Sequence, residues 1–148
     1  MNRRGFLATV PSLLLAGCAA RLGIADRVEV AEKAIRLYPR GDDEPADVAV
    51  RRYDPADGPF YLELHDDLEI DPDEPLVISD SLAEKLEAHF EGVEYRISVC
   101  EPGSDDCRLT TVARLDFNEV EVGDIIDLVS RSSGARLVEV HERRADRD

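Results

Sequence analysis

The sequence predicts an α+β domain that is mostly antiparallel β-sheet, a small sandwich or barrel-like sheet, with one helix near residues 80–90. Several short segments alternate apolar and polar residues, which is the pattern of half-buried strands. Turn residues separate these segments at short intervals. The chain has 148 residues, 43% of them apolar, so we expect a single globular domain with its own core over residues 27–141.

The first half of the domain is predicted to begin with a hairpin. Residues 28–38 predict a strand with a bulge near Ala31, although apolar residues at helical spacing leave a helix as the competing interpretation. A turn at residues 41–45 leads to a clearer strand over 46–53. A second turn-rich stretch then precedes a short apolar segment that ends at Leu64.

The one clear helix is predicted over residues 80–90. Leu82 and Leu86 form its inner stripe together with His89 or Phe90, and Gly92 supplies a stop. The candidates for its N-terminal cap are Ser79, Asp80 and a capping box of Ser81 with Glu84.

The C-terminal half is predicted to be strands joined by short turns. Residues 110–117 extend a strand or begin a helical turn. The segments 125–129 and 136–140 flank a Ser-Ser-Gly turn and therefore predict a C-terminal hairpin. Residues 142–148 form a charged tail that we expect to fray.

The N-terminus has the layout of an export signal. Arg3 and Arg4 precede an apolar run over residues 6–16, which is followed directly by small residues and Cys18. The run is too short to cross about 30 Å of hydrocarbon, so it does not predict a membrane-spanning helix. A buried N-terminal helix is the alternative, but it does not explain the order of these features.

This segment resembles the signal of a twin-arginine-exported lipoprotein. Arg3-Arg4-Gly5-Phe6-Leu7 matches the paired-arginine motif, and Leu15-Ala16-Gly17-Cys18 matches the lipobox. The resemblance implies export in a folded state, cleavage before Cys18 and a lipid on its sulfur. Residues 1–17 would then be the export signal and residues 18–26 a lipidated tether. The membrane, reached through that lipid, is the expected partner, and the domain would face the exterior.

Composition indicates the solvent and excludes one class of partner. The chain has 33 acidic and 18 basic residues, and only Lys33 and Lys85 are lysines. Loss of Arg3 and Arg4 with the signal leaves 16 basic residues and a net charge of −17. Phosphate backbones repel such a surface, so we expect no nucleic-acid binding. The composition resembles that of halophilic archaeal proteins, whose charge is screened at molar salt; an ordinary acidic protein is the alternative.

Cysteine usage agrees with the export signal. If Cys18 carries lipid, Cys100 and Cys107 remain. Residues 93–99 alternate apolar and polar, and Pro102-Gly103 is a turn dipeptide, so a hairpin would bring the two thiols together. We therefore predict a disulfide. A redox or metal pair is the alternative, but the spacing is not Cys-x-x-Cys and no second pair exists for zinc.

The sequence predicts no catalytic residue, no cofactor and no metal site. A blue-copper centre is excluded because the only methionine is Met1. His65, His89 and His141 lie in separate segments without ligand spacing. The acidic run over residues 66–74 has no EF-hand pattern, so a solvated loop is the default and a Ca²⁺ site the alternative.

Two hypotheses of function remain. The first is a non-catalytic, lipid-anchored exterior domain that binds a ligand or partner or supports the envelope. The alternative is a small exported hydrolase that uses dispersed carboxylates, Asp66 or Asp71, with His65. A concave pocket where carboxylates converge on His65 would favour the hydrolase.

Overall fold

A computed structural model describes residues 25–147; Arg3 and Arg4 of the predicted export signal and the predicted lipidation site Cys18 lie outside the described residues. Seven strands form one sheet in which every paired neighbour is antiparallel, and three short α-helices accompany them. The predicted class, a mostly antiparallel α+β fold, is confirmed. The strands are β1 (Ala25–Tyr38), β2 (Ala46–Asp54), β3 (Gly58–Leu64), β4 (Gly92–Cys100), β5 (Cys107–Val112), β6 (Ile125–Arg131) and β7 (Gly134–Glu142). The helices are α1 (Asp80–His89), α2 (Arg114–Glu119) and α3 (Arg144–Arg147), with a 3-10 turn at Asp66–Leu68.

The long strand β1 is the centre of the sheet. It pairs with β4 along one edge, and on the other edge it pairs first with β6 and then with β2. Its register against β4 shifts between Val30 and Glu32, so Ala31 is the extra residue of a bulge. The predicted bulged strand is confirmed, and the helical alternative for this segment is wrong.

The sheet curls into a partly open barrel. The strands β4 and β5 leave one edge of β1, and β6 and β7 leave the other. β5 and β7 run in the same direction and meet where Gly134 lies against the backbone of Thr111. The interior is apolar, and its fully buried members include Val28, Ile35, Ile97, Phe117, Ile126 and Leu128. The β2–β3 hairpin extends the sheet beyond this barrel.

Helix α1 lies where the sequence predicts it, but its ends differ in detail. Ser79 is the N-cap, and its hydroxyl oxygen accepts the amide hydrogen of Leu82. The predicted capping box of Ser81 with Glu84 is therefore wrong, since the helix begins two residues earlier than that box requires. The helix ends at His89, its C-cap Phe90 has extended backbone, and Gly92 opens β4 instead of capping the helix.

The end of the described chain is docked. The backbone amide of Arg144 donates to Asp124 at 2.8 Å, and the guanidinium of Arg147 donates to the carbonyl of Gly123 at 2.7 Å. The fraying expected of this tail is not seen over its described residues, because buried Asp124 and the carbonyl before it supply acceptors. Among the described helices, none has the length and apolar character needed to cross a membrane.

Candidate functional site

A groove of about 330 Å³ runs between α1, the 3-10 turn and the ends of β1 and β2. Apolar side chains supply most of its lining, and four polar residues share the rim. The apolar lining residues are Leu37, Val48, Leu68, Leu82, Leu86 and Phe90. The polar residues of the rim are His65, Asp67, Lys85 and His89. This combination of an apolar floor and a few convergent polar groups is typical of small-molecule sites.

Helical spacing places two rows of side chains on the groove. Leu82 and Leu86 are four residues apart and belong to the inner stripe that the sequence predicts. Lys85 and His89 are also four residues apart and form the neighbouring, exposed row. The amphipathic pattern of α1 therefore supplies both the floor and one polar edge.

The 3-10 turn supplies the opposite edge. The Nδ1 atom of His65 accepts the backbone amide hydrogen of Asp67 at 3.3 Å, which requires an unprotonated Nδ1. The Asp67 carboxylate lies 3.7 Å from the same nitrogen. Leu68 ends the turn and is buried against the core. The turn thus presents an imidazole and a carboxylate beside an apolar anchor.

The Nδ1 atom of His89 has the opposite hydrogen-bonding role to that of His65. Its Nδ1 atom lies 2.8 Å from the carbonyl oxygen of Lys85, and a carbonyl can only accept, so Nδ1 carries the proton. A neutral His89 ring is then an acceptor at Nε2, whereas a neutral His65 ring is a donor at Nε2. The two histidines on the rim therefore offer opposite hydrogen-bonding groups.

A second opening of about 340 Å³ continues the groove along α1. Asp67, Leu68, Leu82 and Lys85 line both openings, so Lys85 lies between them. Exposed Val77 adds further apolar surface to this second part. The site is consequently elongated along the helix.

Only part of the predicted hydrolase set reaches the groove. His65 lines it, but Asp66 and Asp71 are not among its lining residues, and Asp67 stands beside His65 instead. Asp71 accepts the backbone amide hydrogen of Asp73 at 2.8 Å and so stabilises its own turn. The sequence did not single out Asp67, Lys85 or the apolar floor, because only the fold brings them together.

One of the two lysines is buried. The side chain of Lys33 is fully enclosed, and its Nζ donates to the carbonyl oxygens of Leu76 at 2.8 Å and Val120 at 2.7 Å. Burial lowers the pKa of Lys33 to about 7. Nearby, Arg51 forms a bidentate pair with Glu121. Because Lys33 is inaccessible, we assign it to holding loops in place and not to chemistry on a ligand.

The disulfide is present as predicted. Cys100 and Cys107 face each other in the β4–β5 register, with a sulfur–sulfur distance of 2.01 Å. Tyr95, Ile97 and Val99 on the preceding strand are buried, as the alternating pattern predicts. The pair is thus bonded in the structure and not arranged as free thiols.

The carboxylates of the acidic run over residues 66–74 do not converge as metal ligands would. Over residues 25–147, one group of three ligand-type side chains converges, and it contains no member of the run 66–74. That group consists of Asp127, Glu139 and His141 on β6 and β7. Its members come from two strands, so spacing along the sequence gave no sign of it.

No known protein family matches the chain, and neither the curated proteins nor the solved structures contain one significantly similar to it.

Proposed function

We propose that the protein is a lipid-anchored, non-catalytic binding domain on the exterior of the cell membrane of a halophilic archaeon. Its ligand is a small amphiphile with an apolar body and an anionic group, held in the groove along α1. The groove, with its apolar floor and exposed Lys85 on its rim, is the observation that carries the proposal.

The floor accounts for the apolar body of the ligand. Leu37 and Val48 come from the sheet, and Leu82 and Leu86 come from the helix, so hydrocarbon would be enclosed from two sides. Each Å² of apolar surface removed from water contributes about 25 cal/mol. High salt strengthens that contribution, because excluded ions favour burial of apolar surface.

Lys85 accounts for the anionic group. The chain has two lysines, and since Lys33 is buried, Lys85 is the exposed one; the other basic residues are arginines. Lys85 lies at the junction of the two openings. An ammonium beside an apolar floor offers charge-assisted hydrogen bonds to a carboxylate or sulfonate. The surrounding acidic surface would discourage anions elsewhere on the domain.

The location rests on the sequence and on the disulfide. Arg3-Arg4 and the lipobox ending at Cys18 are the features of an exported lipoprotein. The bridge between Cys100 and Cys107 supports an oxidising compartment. Residues 18–24 would then connect a lipid on Cys18 to the start of β1 at Ala25.

The polar side chains near the groove already form hydrogen bonds within the protein, which favours binding over turnover. The hydroxyl of Ser79 caps α1 and lies 3.2 Å from that of Ser81. His65 is held by the amide of Asp67, and the groove is open to water on its polar side. A hydrolase with a serine or cysteine nucleophile needs that nucleophile within hydrogen-bond reach of a base, and no such pair involving His65 is formed by the described residues.

The proposal is tested by competition binding at molar salt. The fluorescence of 1-anilinonaphthalene-8-sulfonate reports occupancy, and decanoate and neutral decanol compete for the site. We expect Leu82→Ser to weaken both competitors and Lys85→Gln to weaken decanoate at least tenfold with little effect on decanol. Glu84→Gln, an exposed change on the same helix away from the groove lining, is the matched control and should bind as the unmodified protein does.

Two results would contradict the proposal. If Lys85→Gln and Glu84→Gln have equal effects, the groove does not recognise the anionic group. If the protein hydrolyses 4-nitrophenyl decanoate and His65→Ala abolishes that turnover, the alternative of a small exported hydrolase replaces the binding function.

A further inference from the structure

We propose a second ligand site, for a divalent transition-metal ion, on the outer face of the β6–β7 hairpin. Its ligands are Asp127, Glu139 and His141, and one ligand atom from each lies within 4.8 Å of the other two. The site shares no residue with the groove along α1.

The register of the hairpin creates the cluster. Asp127 on β6 is paired directly with Glu139 on β7, so both carboxylates project from the same face of the sheet. His141 is the extra residue of a bulge in β7, between Val140 and Glu142, and its exposed side chain lies near those of Asp127 and Glu139. Asp127 is half-buried, and the other two residues are exposed.

Two carboxylates and one arginine meet at this position, which leaves one negative charge for a further cation. Two carboxylates directly opposite each other on paired strands repel and destabilise the pairing. Arg27 on β1, the partner of Asp127 in the β1–β6 register, donates to both oxygens of Asp127 at 3.0 and 3.3 Å. Each oxygen keeps a further lone pair for a metal, and the arginine fixes the orientation of the carboxylate, as outer partners of metal ligands do.

The donor set selects the class of metal. Ca²⁺ and Mg²⁺ take oxygen ligands, whereas an imidazole nitrogen with two carboxylates suits Zn²⁺, Co²⁺ and Ni²⁺. Tetrahedral bonds of about 2.1 Å would place ligand atoms about 3.4 Å apart, within the 4.8 Å limit that contains the three ligand atoms here. Because Glu139 and His141 are exposed, their side chains can rotate to adjust these distances without moving the strands.

The contrast with the acidic run shows why the histidine matters. Residues 66–74 are richer in carboxylates, but they are spread over turns and do not converge. The hairpin instead brings a nitrogen donor to two carboxylates on a paired scaffold. A metal bound there would bridge β6 and β7 and remove the repulsion between Asp127 and Glu139.

The test is calorimetric titration of Zn²⁺ into the purified, untagged protein in a molar nitrate salt, which keeps zinc free of chloride complexes. We expect one site per chain. His141→Ala and Glu139→Gln should each weaken it at least tenfold, and Co²⁺ should give visible absorption bands that His141→Ala removes. His65→Ala and His89→Ala are controls for zinc binding in the groove and should leave the affinity unchanged.

Three outcomes would overturn the site. Unchanged affinity in His141→Ala shows that the histidine is not a ligand. Loss of binding in His65→Ala or His89→Ala moves the metal to the groove. Equal affinity for Ca²⁺ and Zn²⁺ means that the acidic surface merely attracts divalent cations. Circular dichroism of each exposed-residue variant confirms that loss of binding is not loss of folding.

Discussion

The Nζ atom of Lys33 donates a 2.7 Å hydrogen bond to the carbonyl oxygen of Val120, 87 residues later in the chain. The same atom donates to Leu76 and lies 4.4 Å from the centroid of the Phe117 ring. One side chain on the central strand thus holds both the segment that leads into α1 and the segment that follows α2. A neutral amine has two hydrogens, so it can make both hydrogen bonds without carrying charge inside the core.

Stability should rise with pH because of Lys33. Burial lowers the pKa of the folded lysine from 10.5 to about 7, with Arg51 opposing the charge and Glu121 and Asp124 favouring it. Between pH 7 and 10.5 the unfolded chain therefore binds more protons than the folded one, and the free energy of unfolding increases with pH. The expected slope is at most about 1.4 kcal/mol per pH unit.

The measurement is chemical denaturation at molar salt from pH 7.5 to 9.0, where tyrosines with an ordinary pKa of about 10 remain mostly protonated. Lys33→Met should remove the slope, although it also lowers stability by leaving two carbonyl oxygens without a donor. A slope that persists unchanged in Lys33→Met would show that another group causes it.

The contact between β5 and β7 should be sensitive to substitution of Gly134. This glycine has a φ of +135°, and an added Cβ would lie 2.8 Å from the carbonyl oxygen of Thr111 on β5. Gly134→Ala should therefore cost about 2 kcal/mol or more, through a contact with backbone that cannot move aside. Gly103→Ala, at a φ of +76° with open space around it, is the matched control and should cost about 1 kcal/mol. Equal losses in the two melts would mean that β5 and β7 do not meet tightly.

The disulfide should add stability without being needed for folding. Reduction of Cys100–Cys107, or replacement of both by serine, is expected to lower the free energy of unfolding by about 2 to 3 kcal/mol in the chain-entropy model. Three buried residues of β4 already hold the hairpin on the core. Denaturation curves of oxidised and reduced protein, with thiol labelling to count free cysteines, check this; failure of the reduced protein to fold at all would contradict it.

The mature domain should require salt. Removal of the proposed signal would leave a net charge of −17, and repulsion between the surface carboxylates would then be screened only at high ionic strength. We expect dialysis to millimolar salt to abolish the near-ultraviolet dichroism of the tyrosines. Recovery of the near-ultraviolet dichroism at molar salt would show that the loss of structure is reversible. A thermal melt that is the same at both salt concentrations would argue against a halophilic protein.

Local patterns in the sequence predicted the fold class, the bulged first strand, helix α1, the cysteine hairpin and the C-terminal hairpin. Alternation, turn residues and caps act over a few residues, so they can be identified in one segment at a time. The strand order could not be predicted, because the two edges of β1 are shared by β2, β4 and β6 from distant parts of the chain.

The sites were predicted less well for the same reason. His65 was a candidate on its own, but the groove depends on α1 packing across the 3-10 turn, and the metal cluster depends on the register of β6 with β7. Lys33 is the clearest case. Its sequence neighbours gave no indication of burial, because the carbonyl oxygens that bind it belong to Leu76 and Val120.

We propose that a lipid on Cys18 holds the domain at the outer surface of the cell membrane. Mass spectrometry of the N-terminal peptide from the membrane fraction tests it most directly, with Cys18→Ser processed in parallel. The account predicts a peptide that begins at Cys18 and carries a lipid, and a Cys18→Ser protein that is released to the medium or left uncleaved. A membrane-bound protein that retains residues 1–17, or a mature Cys18 with a free thiol, would contradict it.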